Sequence, residues 1–354
     1  MDSTTMDLFG LPVRWPIVGA PMAGGPSTPA LTASVSRAGG LGFLAGGYLS
    51  AAALEQEISA VRALGATGFG VNLFVPGNAE IDEVALETYV ASLRPEAERF
   101  GVDVAPSWDD DHFSEKLELL MRSPVPVVSF TFGCPSSEVV ARLHDIGTRV
   151  VITVTTPTEA SVASTVGADA LCAQGIEAGG HQGSFADDAA PDSGWGLLAL
   201  VTAILHEEQV PVIAAGGVMT GAAVAAVVRA GAVAAQLGTA LLRCPESGAS
   251  EMHKDALADP RFTSTSITRA FSGRRARGLV NAFMRAHPDA PSAYPHINNA
   301  TRALRQAAVA RRDPDATNLW AGQAFRLAQA RPAAAIIATI GAEFEASHPW
   351  PRNL

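Results

Sequence analysis

The chain is poor in cysteine and aromatic residues, and it has a deficit of positive charge. Its 354 residues include three cysteines and 6% aromatic residues, and 25 Lys and Arg stand against 35 Asp and Glu, for a formal net charge of −10. Nucleic acids and anionic membranes both require basic patches on the proteins that bind them. The acidic balance therefore excludes both as expected partners.

The cysteines are too few and too far apart to form a recognisable framework. Cys134, Cys172 and Cys244 are odd in number, and their spacing matches neither a disulfide scaffold nor a metal site. Residues 1–10 contain acidic residues but no basic region followed by a long apolar run, so no secretory signal is predicted. We expect free thiols, no metal and a cytoplasmic location.

One uncharged stretch, residues 210–228, approaches the length of a membrane span. It is interrupted by Pro211, Gly216, Gly217 and Gly221. Because proline and glycine mark turns, the stretch is predicted to form a strand, a loop and a helix, without crossing a membrane.

Short apolar runs alternate with helical patterns over the first two thirds of the chain. Such alternation requires parallel strands joined by crossover helices, and eight repeats indicate closure into a TIM (β/α)8 barrel. An open doubly wound sheet is the alternative, and residues 102–106 are interpreted as an extended insertion. The strands are predicted at residues 16–20, 41–45, 68–74, 125–132, 149–155, 168–173, 210–214 and 232–237.

The pattern changes after about residue 245. We predict a TIM barrel over residues 1–245 and a mainly helical, substrate-side domain over residues 246–317, where the strand–helix alternation stops. Residues 318–354 return to an amphipathic pattern and are expected to pack back on the barrel. Tyr294 and the arginines near Arg274 are the expected residues of the substrate mouth.

Two consecutive predicted strands end in glycine loops. The seventh strand is followed by Gly216 and Gly217, and the eighth leads into Gly238 and Thr239. TIM barrels often bind phosphate between these two loops, where backbone N–H groups and a hydroxyl can hold an anion. The alternative is that the glycines only close tight turns. Neither a P-loop nor a dinucleotide fingerprint is present.

The loop after the sixth predicted strand joins four glycines to an imidazole. It contains Gly175, Gly179, Gly180, His181 and Gly183. Glycines allow a close approach to a flat ligand, and histidine can exchange a proton near neutral pH. This pattern favours an active-site loop, although a glycine-rich turn with a solvated histidine would look the same.

Several motifs together resemble the nitronate monooxygenases, formerly called 2-nitropropane dioxygenases, which are FMN-dependent TIM-barrel enzymes. They occur in order at residues 20–24, 71–74, 173–183, 214–218 and 236–239, with further matches at residues 271–274, 278–281, 294–295 and 319–323. The resemblance covers most of the chain, and the Glu-Ala-Gly-Gly-His sequence ending at His181 is its most specific element.

The resemblance implies a role for each matching residue. Ala20, Pro21 and Met22 would face the flavin ring, and Asn72 and Gln174 would hydrogen-bond it. His181 would be the catalytic residue. The remaining matches are backbone contacts to FMN at Gly179, Gly180, Gly216 and Gly217, and phosphate ligands at Gln236, Leu237, Gly238 and Thr239.

The implied activity is oxidation of an alkyl nitronate, such as propionate 3-nitronate, by molecular oxygen to a carbonyl compound and nitrite. His181 would either hold the nitronate as a cation or remove the α-proton of a neutral nitroalkane, and Glu177 is a candidate to orient it. Two alternatives remain: an FMN-dependent NAD(P)H reductase of quinones or enoyl thioesters, and a non-catalytic flavin-binding barrel. The protein is expected to be a monomer or homodimer.

Overall fold

The computed structural model describes residues 5–77, 81–188 and 193–347. In these ranges eight parallel strands form one sheet, and each coincides with a predicted strand. A short antiparallel hairpin, β1 (Met6–Leu8) with β2 (Leu11–Val13), precedes it. The strands of the sheet are β3 (Ile17–Gly19), β4 (Gly42–Ala45), β5 (Phe69–Phe74), β6 (Val127–Thr131), β7 (Arg149–Val154), β8 (Ala170–Gln174), β10 (Val212–Ala215) and β11 (Ala234–Leu237).

The sheet closes on itself, which confirms the TIM barrel and rules out the open sheet. Strands β3 and β4 stand at the two ends of the paired order, and a parallel bridge joins Val18 to Leu41. Two hydrogen bonds complete this seam: the Gly19 N–H donates to the Leu41 oxygen at 2.8 Å, and the Leu41 N–H donates to the Ile17 oxygen at 2.9 Å.

Helices follow the strands around the outside of the barrel. Ser50 caps helix α2 (Ala51–Ala63), because its side chain accepts a hydrogen bond from the Ala53 N–H. Residues 210–228 form a strand and a helix, and no helix in the described residues is long and apolar enough to cross a membrane. These outer helices are α1 (Pro29–Arg37), α2 (Ala51–Ala63), α5 (Phe113–Arg122), α6 (Ser137–Asp145), α7 (Pro157–Thr165), α8 (Leu197–Glu207) and α9 (Gly221–Arg229).

Helix α14 (Ala333–Ser347) lies between α9 and α1, where the eighth barrel helix would stand. The Glu343 carboxylate accepts a hydrogen bond of 2.8 Å from the Gly221 N–H, at the start of α9. A Cβ atom on Gly221 would come within 2.4 Å of the Ile340 oxygen. Glycine is therefore needed there for the two helices to pack so closely.

A second hydrophobic cluster lies above the barrel and takes in two segments distant in sequence. Residues of α3 (Glu83–Ser92) and α4 (Arg94–Phe100) pack against α11 (Ala282–Ala286), α12 (His296–Ala300) and α13 (Arg302–Ala310). We call these five helices the cap. Helices α3 and α4 are separate, because α3 ends at Ser92 with Leu93 as its cap, and Pro95 lies in the first turn of α4.

A small antiparallel sheet connects the barrel to the cap region. Strand β9 (Gly180–His181) pairs with β13 (Ala276–Leu279), which also pairs with β12 (Thr265–Thr268). Helix α10 (Glu251–Ala256) precedes β12. Residues 246–317 were predicted to be mainly helical, and strands β12 and β13 are the part of the segment that the prediction missed. The domain boundaries themselves stay a prediction.

Candidate active site

A cavity of about 700 Å³ lies at the carboxyl ends of the barrel strands. Ligand-binding cavities have volumes in this range, and TIM-barrel active sites lie at this end. Leu237 is fully buried away from the cavity, and Tyr294 does not line it. The predicted site residues that do line it are Ala20, Pro21, Met22, Asn72, Gln174, Gly179, Gly180, His181, Gly216, Gly217, Gln236, Gly238 and Thr239.

The cavity wall at the carboxyl ends of β10 and β11 is made largely of backbone. Among the described residues, the N–H groups of Gly217, Gly238 and Thr239 donate to no protein oxygen. Gly217 has φ +66°, a conformation that favours glycine. The Thr239 hydroxyl accepts a hydrogen bond of 3.0 Å from the Gly322 N–H. Free N–H donors at two adjacent strand ends fit a phosphate group.

The loop after β3 is held in one shape by its own hydrogen bonds. The Met22 N–H donates to the Ser27 hydroxyl at 2.8 Å, and that hydroxyl donates to the Ala20 oxygen at 3.3 Å. The Ala20 N–H donates to the Leu237 oxygen at 2.9 Å, which ties this loop to β11. Ala20, Pro21 and Met22 thus form a fixed wall against which a flat ring could lie.

The two predicted amide ligands are both engaged with protein. The Asn72 amide donates to Ser129 and Thr131 hydroxyls at 2.9 Å. Gln174 donates to the His181 oxygen at 3.0 Å and accepts from the Gly183 N–H at 2.7 Å. Gln174 therefore fixes the loop that carries His181, and its contact with a flavin stays a prediction.

His181 is held by a strand pairing that the sequence pattern did not predict. It lies opposite Ala276 in the β9–β13 ladder, and the Gln182 N–H donates to the Arg275 oxygen at 2.8 Å. Gly180, with φ +75°, allows the chain to turn into this short strand. The imidazole is therefore positioned by a rigid pairing and does not belong to a solvated turn.

Aromatic rings surround the imidazole on three sides. The ring centroids of Phe132, Tyr294 and Trp320 lie 5.7, 5.9 and 5.5 Å from that of His181. Burial, together with the smaller effect of the nearby Arg274 and Arg305 guanidinium groups, lowers the pKa of His181 from 6.5 to about 3. The imidazole is therefore neutral at neutral pH.

Ser272 is the hydrogen-bond partner of His181. The His181 Nε2 and Ser272 Oγ atoms are 2.8 Å apart, and Ser272 is 1% exposed. The same hydroxyl donates to the Arg274 oxygen at 3.1 Å. A hydroxyl has one hydrogen. When Ser272 donates it to the Arg274 oxygen, Nε2 donates to Ser272 and the lone pair lies on Nδ1; when Ser272 donates it to Nε2, Nδ1 carries the imidazole hydrogen.

Tyr294 touches His181 through its ring, while its hydroxyl points to another tyrosine. The Tyr294 and Tyr48 hydroxyl oxygens are 3.4 Å apart, and Tyr48 lines the cavity. The Tyr48 N–H donates to Asp111 at 2.7 Å, and Asp111 forms an ion pair of 2.8 Å with the buried Lys116. A buried ion pair thus supports the loop that carries Tyr48.

Two expectations about charged residues are not met. Arg274 is 7% exposed, lies 4.1 Å over the Phe132 ring and donates to the Ser184 oxygen, so it supports the site from behind and does not line the mouth. The Glu177 carboxylate accepts from the Leu197 N–H at 3.0 Å. It therefore caps α8 and does not orient His181.

Several cavity or supporting residues were missed by the sequence analysis. Tyr48 follows Gly46 and Gly47 at a strand end, the same signal that identified His181. Ser272 and Trp320 lie inside motifs of the resemblance, but no role had been given to them. Arg305, on α13, lines the cavity and gave no local signal.

The chain matches known proteins over most of its length. The family model described as "Nitronate monooxygenase" matches residues 7–343. A probable nitronate monooxygenase of Staphylococcus aureus is 39% identical over 336 residues, covering 93% of this chain and 94% of the relative.

Solved structures extend this similarity to the fold. A nitroalkane oxidase from Streptomyces ansochromogenes is 48% identical, with a TM-score of 0.92, and the match covers 95% of this chain and 97% of that one. FabK from Thermotoga maritima is 26% identical, with a TM-score of 0.73 over 95% and 94% of the two chains.

Proposed function

Because the chain belongs to the nitronate monooxygenase family, and is thus an oxidoreductase, we propose that it oxidises alkyl nitronates with molecular oxygen, using FMN. The products would be a carbonyl compound and nitrite. The observation that carries this proposal is the position of His181, a neutral imidazole on the cavity wall, beside free N–H donors at two strand ends.

The residues present fit FMN. Gly217, Gly238 and Thr239 would hold its phosphate, and the loop of Ala20, Pro21 and Met22 would support its ring. The bound FMN would supply the electron acceptance that the protein's own side chains cannot provide. The aromatic ring contacts around His181 would exclude water from the reacting carbon.

His181 would act as a neutral base or hydrogen-bond partner and not as a cation. When Nε2 donates to Ser272, the Nδ1 lone pair is available to accept the α-proton of a neutral nitroalkane. A preformed nitronate needs no such proton transfer. The enzyme would therefore depend on His181 more strongly for nitroalkanes than for nitronates.

Cofactor extraction and product analysis test this function. The purified protein should be yellow and release FMN on denaturation. With propionate 3-nitronate it should consume oxygen and produce nitrite. A colourless protein that cannot be reconstituted with FMN would contradict the proposal, and NAD(P)H-dependent reduction of a quinone or enoyl thioester without nitronate oxidation would favour the reductase alternative.

A further inference from the structure

Arg305 is a largely buried cation on the wall of the cavity. Its side chain donates to the Thr301 hydroxyl at 3.1 Å and to two oxygens of Asn298, the carbonyl at 2.8 Å and Oδ1 at 2.9 Å. A longer contact of 3.4 Å reaches Asn318 Oδ1. All of these acceptors are neutral, so the guanidinium is oriented by hydrogen bonds that do not balance its charge.

Within the described residues no ion pair involves Arg305. By contrast, the buried Arg269 and Arg275 both pair with Asp187, at 2.8 and 3.0 Å. Burying a charge without a counter-ion is costly. The effect of this burial is seen in the pKa of Arg305, which it lowers from 12.5 to about 10.

Arg305 lies on the His181 side of the cavity: it contacts Asn318 at 3.4 Å, and the ring centroid of Trp320, two residues further along the chain, lies 5.5 Å from that of His181. The field of Arg305 is among the causes that lower the pKa of His181, and its own pKa responds to Tyr48 and Tyr294. The N–H donors suited to a phosphate lie at the ends of β10 and β11, and they are backbone groups. The positive charge of Arg305 therefore faces the place where the substrate, and not the cofactor phosphate, would lie.

We propose that Arg305 is the counter-ion of the substrate's nitronate group. This inference rests on the proposed function and adds to it, because it separates two roles that one histidine could have combined. Arg305 holds the anion, and the neutral His181 handles the proton. The site is then selective for substrates that are already anionic, and Arg305 is the residue that determines this specificity.

The test compares two forms of one substrate in the FMN-loaded enzyme. Arg305→Met should lower kcat/KM for propyl-1-nitronate by about 100-fold, mostly through KM, because it removes one partner of a buried charge pair. For the neutral 1-nitropropane, kcat/KM should change by less than about 3-fold, since this substrate carries no charge for Arg305 to bind. Arg305→Lys keeps the charge, so its kcat/KM for propyl-1-nitronate should lie between the values for the wild type and Arg305→Met.

Arg285→Met is the matched control, because it removes an exposed arginine from cap helix α11. This control variant should leave kcat/KM for both substrate forms unchanged. Retained FMN and an unchanged Tm would show that Arg305→Met is folded. In that variant the acid limb of the 1-nitropropane pH profile should move to higher pH, because losing a neighbouring cation raises the pKa of His181.

Nitrate is a planar anion similar in shape to the nitronate group, so its binding can be measured without turnover. Its binding, followed through the flavin absorbance spectrum, should weaken in Arg305→Met by about as much as nitronate KM rises. If the wild type oxidises neither substrate form, the proposed function fails, and nitrate binding alone decides the role of Arg305. Unchanged nitrate binding, or a loss confined to propionate 3-nitronate with its extra carboxylate, would overturn the proposal.

Discussion

The two sides of the cavity are built from different parts of the polypeptide. On the barrel side, the ends of β10 and β11 present glycine backbone and N–H groups that have no protein acceptor within the described part of the chain. On the cap side, β9 and α13 present the side chains of His181 and Arg305. His181 is held by Ser272 and by the pairing of β9 with β13, which are distant in sequence, and Arg305 is held by Asn298. The backbone groups of the barrel side suit cofactor binding, whereas the side chains of the cap side can determine which substrate binds and which reaction follows.

This contrast predicts that cap-side variants lose turnover while keeping the cofactor. The largest effect is expected for His181→Asn, which should retain FMN but lose about 10²–10⁴ in turnover, the usual contribution of a positioned acid–base group. The loss should be near total for 1-nitropropane and smaller for its nitronate. Steady-state kinetics with both forms will measure it.

His144→Asn is the control for that variant, because His144 lies on the surface and pairs with Asp169. It should behave as wild type. If His181→Asn turns over both substrate forms at the wild-type rate, the imidazole takes no part in the reaction.

A variant on the barrel side should instead lose affinity for the cofactor. Gly238 has φ −107°, and an added Cβ would meet Ala20 and Met22 only at ordinary contact distances, so the fold tolerates a side chain there. Gly238→Asp should weaken FMN binding by about 100-fold, because like charges brought together cost several kcal/mol. Equilibrium titration of the apoprotein with FMN gives the value, and Gly238→Asn is the uncharged control.

Equal weakening by Asp and Asn would mean that space, and not charge, is the cause. In that case Gly238 would not lie at a phosphate site.

A smaller effect is expected where the cap supports His181 indirectly. Ser272→Ala removes one hydrogen bond, worth about 1 kcal/mol, so kcat for 1-nitropropane should fall about 5–10-fold with KM unchanged. Ser92→Ala, on cap helix α3, is the control. A rise in KM without a fall in kcat would show that Ser272 shapes the cavity and does not orient the base.

The smallest effect is expected for the hydroxyl of Tyr294. Its contact with Tyr48 is 3.4 Å long, and its ring, not its hydroxyl, touches His181. Tyr294→Phe should therefore change kcat/KM for nitronates by less than about 3-fold, as expected for a weak hydrogen bond. A loss of 10-fold or more would show that the hydroxyl acts on the substrate.

The same contrast explains what the sequence could predict. Strand ends followed by glycine, as at Gly217, Gly238 and His181, are local signals, and the barrel periodicity shows where they meet. The eight strands and six of the seven helices outside them follow the predicted order for the same reason, whereas α5 was not predicted. Arg305 and the sheet containing β9 gave no local signal, because their positions depend on pairing and packing between distant segments.

Charged residues were the least predictable from sequence. The arginines near Arg274 looked like a substrate mouth, but Arg275 pairs with Asp187 and Arg274 binds backbone oxygens. Glu177 lies four residues before His181, yet its carboxylate caps α8. Sequence spacing gives no direction for such side chains in a loop, so only the fold distinguishes supporting charges from those that face a ligand.

Anaerobic reduction tests the central claim, that the cavity holds FMN beside a nitronate site on the cap side. The visible flavin spectrum of the purified protein should be recorded before and after separate additions of propionate 3-nitronate and NADH, without oxygen. We predict that the nitronate bleaches the flavin band and that NADH does not. Bleaching by NADH alone would contradict this account and identify the protein as a reductase.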